Sequence, residues 1–557
     1  MTSLEKPCHL TKLSTELILL IADHVPLEHH LDFACTCKRI ALGLANVLQR
    51  HREAHEKYKV ASDLSPYTVV NLLRSAFGYG DPIPAWHVRS FELWYDRKSW
   101  SEWKMLDFQN HPADDSAVAY EPADLMRYGD LETYLEPLEH GDSTGEDAEA
   151  ARVQMEEGQD APLKAVLIAT LPRLLDVKFV PHPIDCLFEE QPSTLGWLQT
   201  LILEQIKSSD WARTPGLHNL QSVSIGVLAR LMRLPNIDSI YMRNFSGYAS
   251  GMRSSECDID YLPSRSSNLK HLWLDNPDLL DYHDQGLSEA AEALLTVSLR
   301  AGNEELQGVK SFVNLLGENS GETIQSLMSY DYETTHRSRH SRASFDLTEF
   351  SDYEALQHLS LDVADVTGML SEVLKEPFIQ RKDESDHEFN LRYFVNALPE
   401  TIETLTLWTY VKGMGRWRRE PEVGDSELEE LEKILVALMQ SGRCSNLKAI
   451  YLERIDRDAY RSSHRKIHFQ EAVRVGRTLG IDVHTLTNRR KAIHDIEWRE
   501  APDKYDLKTG PWGARPADWV FSPYTGRRES PGCRKCGKCE VCLTHYTKEL
   551  WESVEAE

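Results

Sequence analysis

The sequence predicts an α/β protein in which a small N-terminal helical module precedes a long array of strands and helices. Two observations carry this prediction. The first fifty residues place apolar side chains at the three- and four-residue spacing of helices. Farther along, a short apolar pattern ending in an apolar-x-apolar step recurs many times, and such a step is typical of a short buried strand.

The N-terminal module is predicted to contain two helices separated by Pro26, because proline cannot continue a helix. The residues at helical spacing on the first helix are Leu13, Glu16, Leu17, Leu20, Ile21 and Val25. The second helix is expected from about residue 28 to residue 45, with Leu31, Ala34, Cys35, Arg39 and Leu42. A module this small rarely stabilises itself, so the rest of the chain or a partner must cover its apolar face.

The opening Leu-x-x-Glu-Leu at residues 13–17 and the closing Thr-Cys-Lys-Arg at residues 36–39 resemble the F-box. The F-box is the three-helix module by which substrate receptors dock onto the Skp adaptor of a cullin ubiquitin ligase. The resemblance implies an adaptor contact through Leu13, Glu16, Leu17, Ile21, Leu27, Leu31, Lys38 and Arg39. The family usually has proline after the first leucine, where this chain has Ser14, and that change predicts a reduced affinity. The alternative is an ordinary helical hairpin that caps the next domain.

The recurring pattern is apolar, two others, apolar, two others, apolar, one other, apolar. Full copies lie at residues 171–179, 195–203, 217–225 and 234–242. Shorter copies lie at residues 88–93, 269–274, 324–327, 356–361, 402–407 and 447–452. This is the signature of leucine-rich repeats, whose parallel strands stack side by side in a solenoid. The 55-residue step from strand position 274 to 329 is long enough to hold a further, degenerate copy, and helices are expected at residues 289–299 and 427–439.

The chain as a whole resembles fungal F-box proteins with diverged leucine-rich repeats. The expected domains are an F-box at 1–55, a helical linker with the first repeat at 56–110, an acidic flexible insert at 111–160, the solenoid at 161–490 and a cysteine-containing tail at 491–557. The strand face of such a solenoid is a broad binding surface, and aromatic and arginine side chains are favoured at interfaces. The candidate substrate-binding residues are Trp94, Tyr241, Arg243, Trp273, Trp408, Tyr410 and Tyr451. Lateral packing against neighbouring strands is the alternative role for each.

Charge is distributed unevenly along the 557 residues, whose formal net charge is −26. Residues 114–160 hold fifteen acidic and two basic side chains, which is half of that net charge. This composition predicts a solvated loop or a disordered insert, either as a charged linker or as an interaction segment. Overall acidity argues against nucleic acid as the main partner. No apolar run approaches the roughly 18 residues of a membrane helix, so we expect no membrane partner and a cytoplasmic or nuclear protein.

Four cysteines lie at three-residue intervals near the end of the sequence, namely Cys533, Cys536, Cys539 and Cys542. Two Cys-x-x-Cys pairs are typical of a four-thiolate zinc site, although such pairs usually sit on separate loops. The alternatives at this position are a structural zinc ion, an iron–sulfur cluster and an unliganded tail. We expect no cofactor beyond such a structural ion.

No catalytic constellation is recognisable, so we expect a binding protein and not an enzyme. The resemblance implies the substrate-recognition subunit of an SCF-type ubiquitin ligase, with a Skp-type adaptor, a cullin and a protein substrate as partners. The alternatives are a leucine-rich-repeat scaffold or inhibitor that acts outside a ubiquitin ligase, and a zinc-dependent nucleic-acid binder.

Overall fold

The computed structural model describes most of the chain in fifteen segments. These are residues 12–103, 128–139, 146–179, 193–225, 229–243, 262–275, 283–301, 306–331, 350, 352–362, 383–408, 425–453, 469–486, 520–522 and 527–529. The chain divides into two compact units, the first built mainly from Met1–Val223 and the second mainly from Ile237–Glu500. The candidate zinc ligands Cys533, Cys536, Cys539 and Cys542 lie outside the described residues.

Twelve strands form one sheet whose spatial order is the order along the chain. They are β1 Val60–Ser62, β2 Ser90–Leu93, β3 Asp176–Phe179, β4 Ser222–Ile225, β5 Ser239–Arg243, β6 His271–Asp275, β7 Thr296–Ala301, β8 Ser326–Asp331, β9 His358–Asp362, β10 Thr404–Trp408, β11 Ala449–Glu453 and β12 Asp482–Leu486. Every pair of neighbouring strands whose register is described is parallel. A separate antiparallel pair consists of β13 Val520–Ser522 and β14 Arg527–Glu529. The protein is therefore a mixed α/β protein built around a parallel sheet.

Helices occupy most of the described segments between the strands, as is usual for parallel pairing. In the first unit they are α1 Thr15–His24, α2 His30–Cys35, α3 Lys38–Gly43, α4 Ala45–Tyr58, α5 Pro66–Ala76, α6 Ile83–His87, α7 Tyr128–Glu139, α8 Glu146–Glu156, α9 Ala161–Thr170, α10 Ser193–Ser208 and α11 Pro215–Asn219. In the second unit they are α12 His283–Ala290, α13 Leu306–Ser320, α14 Asp386–Ala397, α15 Asp425–Ser441 and α16 Gln470–Leu479. Short 3-10 helices lie at Leu27–His29, Trp100–Glu102, Trp211–Arg213 and Ala229–Arg233.

The N-terminal module has more helices than the sequence predicted. The first predicted helix is present as α1, and it ends before Pro26. The single second helix predicted at 28–45 is wrong, because a 3-10 turn, α2 and α3 replace it and α4 begins at Ala45. The break between α2 and α3 falls at Cys37, whose backbone is extended (φ −161°, ψ 156°). Apolar periodicity runs across this break and therefore did not reveal it.

The recurring pattern located most of the strands. Nine of its ten copies coincide with β2, β3, β4, β5, β6, β8, β9, β10 and β11. In β6, for example, Leu272 and Leu274 are both buried, and Leu269 fills the turn that enters the strand. The helix predicted at 427–439 is confirmed as part of α15.

Two predictions from the same pattern were wrong. The copy at 195–203 lies in α10, where Leu198, Leu201 and Ile202 share a buried helical face, so their spacing reflects a helix and not a strand. The helix predicted at 289–299 is instead the end of α12 followed by β7. In β7 the buried Val297 and Leu299 alternate with polar residues, and this strand is the further copy that the 55-residue step was long enough to hold.

The acidic segment predicted as a flexible insert contains two helices, α7 and α8. Tyr134 and Leu135 of α7 are fully buried, as are Ala151 and Met155 of α8. These apolar residues recur at helical spacing between the acidic ones and anchor both helices. The prediction of a flexible insert rested on the net charge of the segment and did not take this apolar pattern into account.

A buried ionic network joins the ends of β1 and β2 to α9. The ammonium Nζ of Lys164 lies 2.8 Å from Asp63 Oδ2 and 3.0 Å from Asp160 Oδ1. It also lies 3.2 Å from Asp96 Oδ1. A second cation, Arg97, places Nη1 2.9 Å from Asp160 Oδ2. Both cations are fully buried, so two positive charges and three carboxylates compensate one another away from solvent.

Backbone groups complete this network. The backbone N–H of Trp94 donates to Asp63 Oδ1 at 2.8 Å, and the Arg97 Nη2 donates to the carbonyl oxygen of Asp63 at 3.0 Å. Asp96 accepts hydrogen bonds from the backbone N–H and the hydroxyl of Thr194, at 2.9 and 2.6 Å. The network therefore fixes the chain directions after two strands and at the start of α10.

Candidate docking face

The N-terminal module has a complete small core of its own. Ile18 and Ala22 of α1 pack with Ala34, Ile40 and Leu44, and each of these five side chains is at most 3% exposed. The same cluster continues into α4 and α6 through Val47, Ala54 and Ile83. The inward face of α1 is thus satisfied by the module itself and by the helices that follow it.

Four leucines of this module remain exposed despite that core. Leu17 and Leu20 on α1 are 47% and 54% exposed, Leu31 on α2 is 62% exposed, and Leu42 on α3 is 68% exposed. We call these four residues the exposed leucines. Single exposed leucines are common on protein surfaces, but four within one short module constitute a candidate interaction site.

The predicted adaptor-binding residues divide between core and surface. Leu17, Leu31, Glu16, Lys38 and Arg39 are exposed. Three others are half-buried, namely Leu13, Ile21 and Leu27. Leu13 and Leu27 pack against the module core. The predicted adaptor contact did not include Leu20 and Leu42, although both belong to the apolar patterns of their predicted helices.

Polar contacts hold the start of α1 in place beside the exposed leucines. Ser14 is the N-cap residue of α1, and its Oγ accepts a hydrogen bond from the backbone N–H of Leu17 at 3.4 Å. The Arg39 Nη2 donates to the carbonyl oxygen of Leu13 at 3.3 Å, which ties α3 to the entry of α1. A hydrogen bond from Ser14 lowers the pKa of Glu16 from its ordinary value. Ser14 therefore has a helix-capping role at the position where F-boxes usually have proline.

The candidate substrate-binding residues are less uniform. Tyr241 and Trp273 are half-buried and lie directly opposite each other in β5 and β6. Arg243 and Trp408 are the last residues of β5 and β10. Tyr410 lies outside the described residues.

Two of these residues are not exposed as predicted. Trp94 is 6% exposed and follows β2 directly, where its backbone is held by Asp63. Tyr451 in β11 is 5% exposed. Lateral neighbours in the sheet hide short side chains as well, since Ser298 and Ser360 on the same face are each 2% exposed. Tyr241 of β5 and Trp273 of β6 are therefore the predicted residues of the second unit that are described as partly accessible on this face.

Among the residues that the structure describes, no group of three or more histidine, cysteine, aspartate or glutamate side chains is arranged to hold a metal ion. No helix in the described segments has both the length and the apolar character needed to cross a membrane. A scan against protein-family models finds no match to the chain, and a comparison with curated proteins finds none that is significantly similar.

Proposed function

We propose that this protein is the substrate-recognition subunit of an SCF-type ubiquitin ligase. In this proposal the N-terminal module is an F-box that binds a Skp-type adaptor, and the strand array is a leucine-rich-repeat domain that binds the substrate. The observation that carries it is the set of exposed leucines on a module whose own core is already complete. The Leu-x-x-Glu-Leu and Thr-Cys-Lys-Arg segments resemble the F-box, and this resemblance indicates a Skp-type adaptor as the partner.

The exposed leucines offer enough apolar surface for a specific contact. Full burial of one leucine contributes about 1.5–3 kcal/mol, and each of the four is about half exposed. Covering all four therefore contributes roughly 3–6 kcal/mol to association. Lys38 and Arg39 lie exposed beside them and add a basic rim to the site.

The main alternative is a scaffold that uses its N-terminal helices only as a cap. That function predicts an apolar N-terminal face covered by the repeats that follow. Leu31 and Leu42 are instead more than half exposed, which favours a docking role over a capping role.

The proposed receptor performs no bond chemistry itself. It holds a substrate near the ubiquitin-charged enzyme of the ligase and raises the effective concentration of substrate lysines there. The half-buried pair Tyr241 and Trp273 is the best-supported part of the substrate surface, because large aromatic side chains contribute strongly at interfaces. A cytoplasmic or nuclear location follows from the proposed role.

The test is co-purification of the full chain with a recombinant Skp-type adaptor. Wild type is expected to form a stoichiometric complex, and Leu31→Asp is expected to weaken it by about 100-fold, because the variant loses an apolar contact of roughly 1–2 kcal/mol and buries a carboxylate in its place. Leu17→Asp is expected to act in the same direction. Leu479→Asp is the matched control, since Leu479 is 49% exposed at the end of α16 in the second unit.

Circular dichroism and thermal melting establish that each variant is folded. Undiminished adaptor capture by a folded Leu31→Asp variant would show that the exposed leucines are not the docking face. Absence of any complex with the wild-type chain would favour the scaffold function.

A further inference from the structure

Three histidine rings form a hydrogen-bonded chain between the N-terminal module and α6. His30 Nδ1 lies 2.9 Å from His51 Nε2, and His51 Nδ1 lies 2.8 Å from His87 Nε2. Successive rings are nearly perpendicular, with centroids 5.1 Å apart in both pairs. We call these three residues the histidine relay. It connects α2, α4 and α6.

Carbonyl oxygens fix the direction of the protons in this relay. His30 Nε2 lies 3.1 Å from the Ala22 carbonyl oxygen and 3.0 Å from the Val25 carbonyl oxygen, so this nitrogen carries a hydrogen. If His30 is neutral, its Nδ1 accepts from His51 Nε2–H, and His51 Nδ1 accepts from His87 Nε2–H. The relay then ends at His87 Nδ1, a buried atom that has no hydrogen-bond partner among the described residues.

The opposite proton direction is less favourable. It requires a charged His30, which is 7% exposed, and it places an N–H at His87 Nδ1 with no acceptor. An unpaired buried donor and a buried cation both carry a desolvation penalty. The geometry therefore selects three neutral rings, each with its hydrogen on Nε2.

We propose that the histidine relay is a proton-sensitive latch that holds α1 and α2 against α4 and α6 only while its rings are neutral. Protonation of His51 at Nδ1 would place its N–H against the Nε2–H of His87 and break that link of the relay. Protonation of His87 would place an N–H at a buried position where the described part of the chain offers no acceptor.

The charged groups around the relay reinforce this behaviour. Burial lowers the pKa of His87 to about 4, with further contributions from His51, His55, Arg89 and Arg173. The His55 ring centroid is 5.5 Å from that of His87.

Around the middle ring, burial and the neighbouring His30 lower the pKa of His51. Asp81 favours a protonated His51, but Arg50 forms an ion pair with Asp81 at 2.5 Å and opposes it.

The sign of the pH effect follows from these depressed pKa values. Unfolded histidine has a pKa of about 6.5, so below that pH the open module binds protons that the closed module excludes. The contribution of the relay to stability is complete above about pH 6.5 and falls as the pH decreases toward about 4. The consequence for adaptor docking rests on the proposed function, because Leu17, Leu20 and Leu31 lie on the two helices that the latch holds.

The experiment is hydrogen exchange of the full chain at pH 7.5 and pH 5.5, corrected for the intrinsic exchange rate and without any adaptor. With its pKa near 4, His87 is expected to reduce the protection of α1 and α2 amides about tenfold over this interval, and the lowered pKa of His51 is expected to add to that loss. His51→Gln keeps one donor and one acceptor but cannot titrate, and it is expected to make that loss smaller. His24→Gln, at an exposed position on the last turn of α1, is the matched control and should respond like wild type.

The proposal is overturned if the protection of α1 and α2 changes no more with pH than that of α15 in the second unit. It is also overturned if His51→Gln responds as His24→Gln does. Should His51→Gln not fold, His87→Gln at the open end of the relay replaces it with the same expected result. Because no adaptor is present, this result is independent of whether the module binds a Skp-type protein.

Discussion

Replacing Lys164 by methionine is expected to destabilise the first unit by about 3–5 kcal/mol, because it leaves buried carboxylates without their main counter-charge. Lys164 is fully buried and lies within 3.2 Å of Asp63, Asp96 and Asp160. Among the described cations of the network, Arg97 would remain, and it pairs with Asp160. Methionine preserves most of the side-chain volume, so the loss reports the charge and not a cavity.

The measurement is hydrogen exchange of α9 amides together with urea unfolding followed by tryptophan fluorescence. A destabilisation of 3–5 kcal/mol speeds exchange through opening of this unit by roughly 10²–10³-fold or more. Lys448→Met is the matched control, since Lys448 pairs with Glu403 at 2.5 Å while 67% exposed. Such surface pairs contribute about 0–1 kcal/mol.

The pH dependence of the Lys164→Met variant provides a second check. Burial raises the pKa of Asp160 despite Lys164 and Arg97, which both lower it. Without Lys164 the folded carboxyl takes up a proton more readily than an unfolded aspartate, whose pKa is about 3.9. The destabilisation should therefore be smaller at pH 5 than at pH 8. A loss below about 1 kcal/mol at pH 8, equal to that of Lys448→Met, would refute the assigned role of the network.

Two further substitutions test local features by thermal melting. Ser14→Ala removes the N-cap of α1 and is expected to destabilise the N-terminal module by about 0.5–1 kcal/mol; an unchanged module would mean that Ser14 caps nothing. Gly216→Ala is expected to cost about 3 kcal/mol, because its Cβ would lie 1.9 Å from the Ile168 carbonyl oxygen. Gly196→Ala in α10 is its control and should stabilise by about 0.5–1 kcal/mol, as nothing lies within 4 Å of the new Cβ. Equal effects of the two glycine substitutions would contradict the close approach at Gly216.

The strands were predictable because their signal is local. Residues such as Leu272 and Leu274 face the core across a single alternate position, and the turn residue before them is also apolar. The same apolar pattern predicted a strand wrongly at Leu198, because leucines three residues apart also line one face of a helix. At Val297 a helix was predicted instead of a strand, because the end of the preceding helix and this short strand together show apolar residues at helical spacing.

The candidate sites were less predictable because they depend on tertiary contacts. Periodicity identified an apolar face on α1 but did not indicate that Ile18 faces the core while Leu17 faces solvent. Lys164 contacts Asp63 across about one hundred residues of sequence, and His30 approaches His87 through His51 in the same way. No local sequence pattern predicts such partners, because the two side chains of each contact are far apart in the chain.

Each strand of the parallel sheet lies between its predecessor and its successor in the chain. A segment that connects two strands can therefore gain or lose residues without changing which strands are neighbours. Connecting segments in this chain already range from the one between β4 and β5, which holds a 3-10 helix, to the one between β2 and β3, which holds α7, α8 and α9. The architecture thus tolerates insertions between repeats. Such insertions can add new sequence during evolution without changing how the existing strands pair.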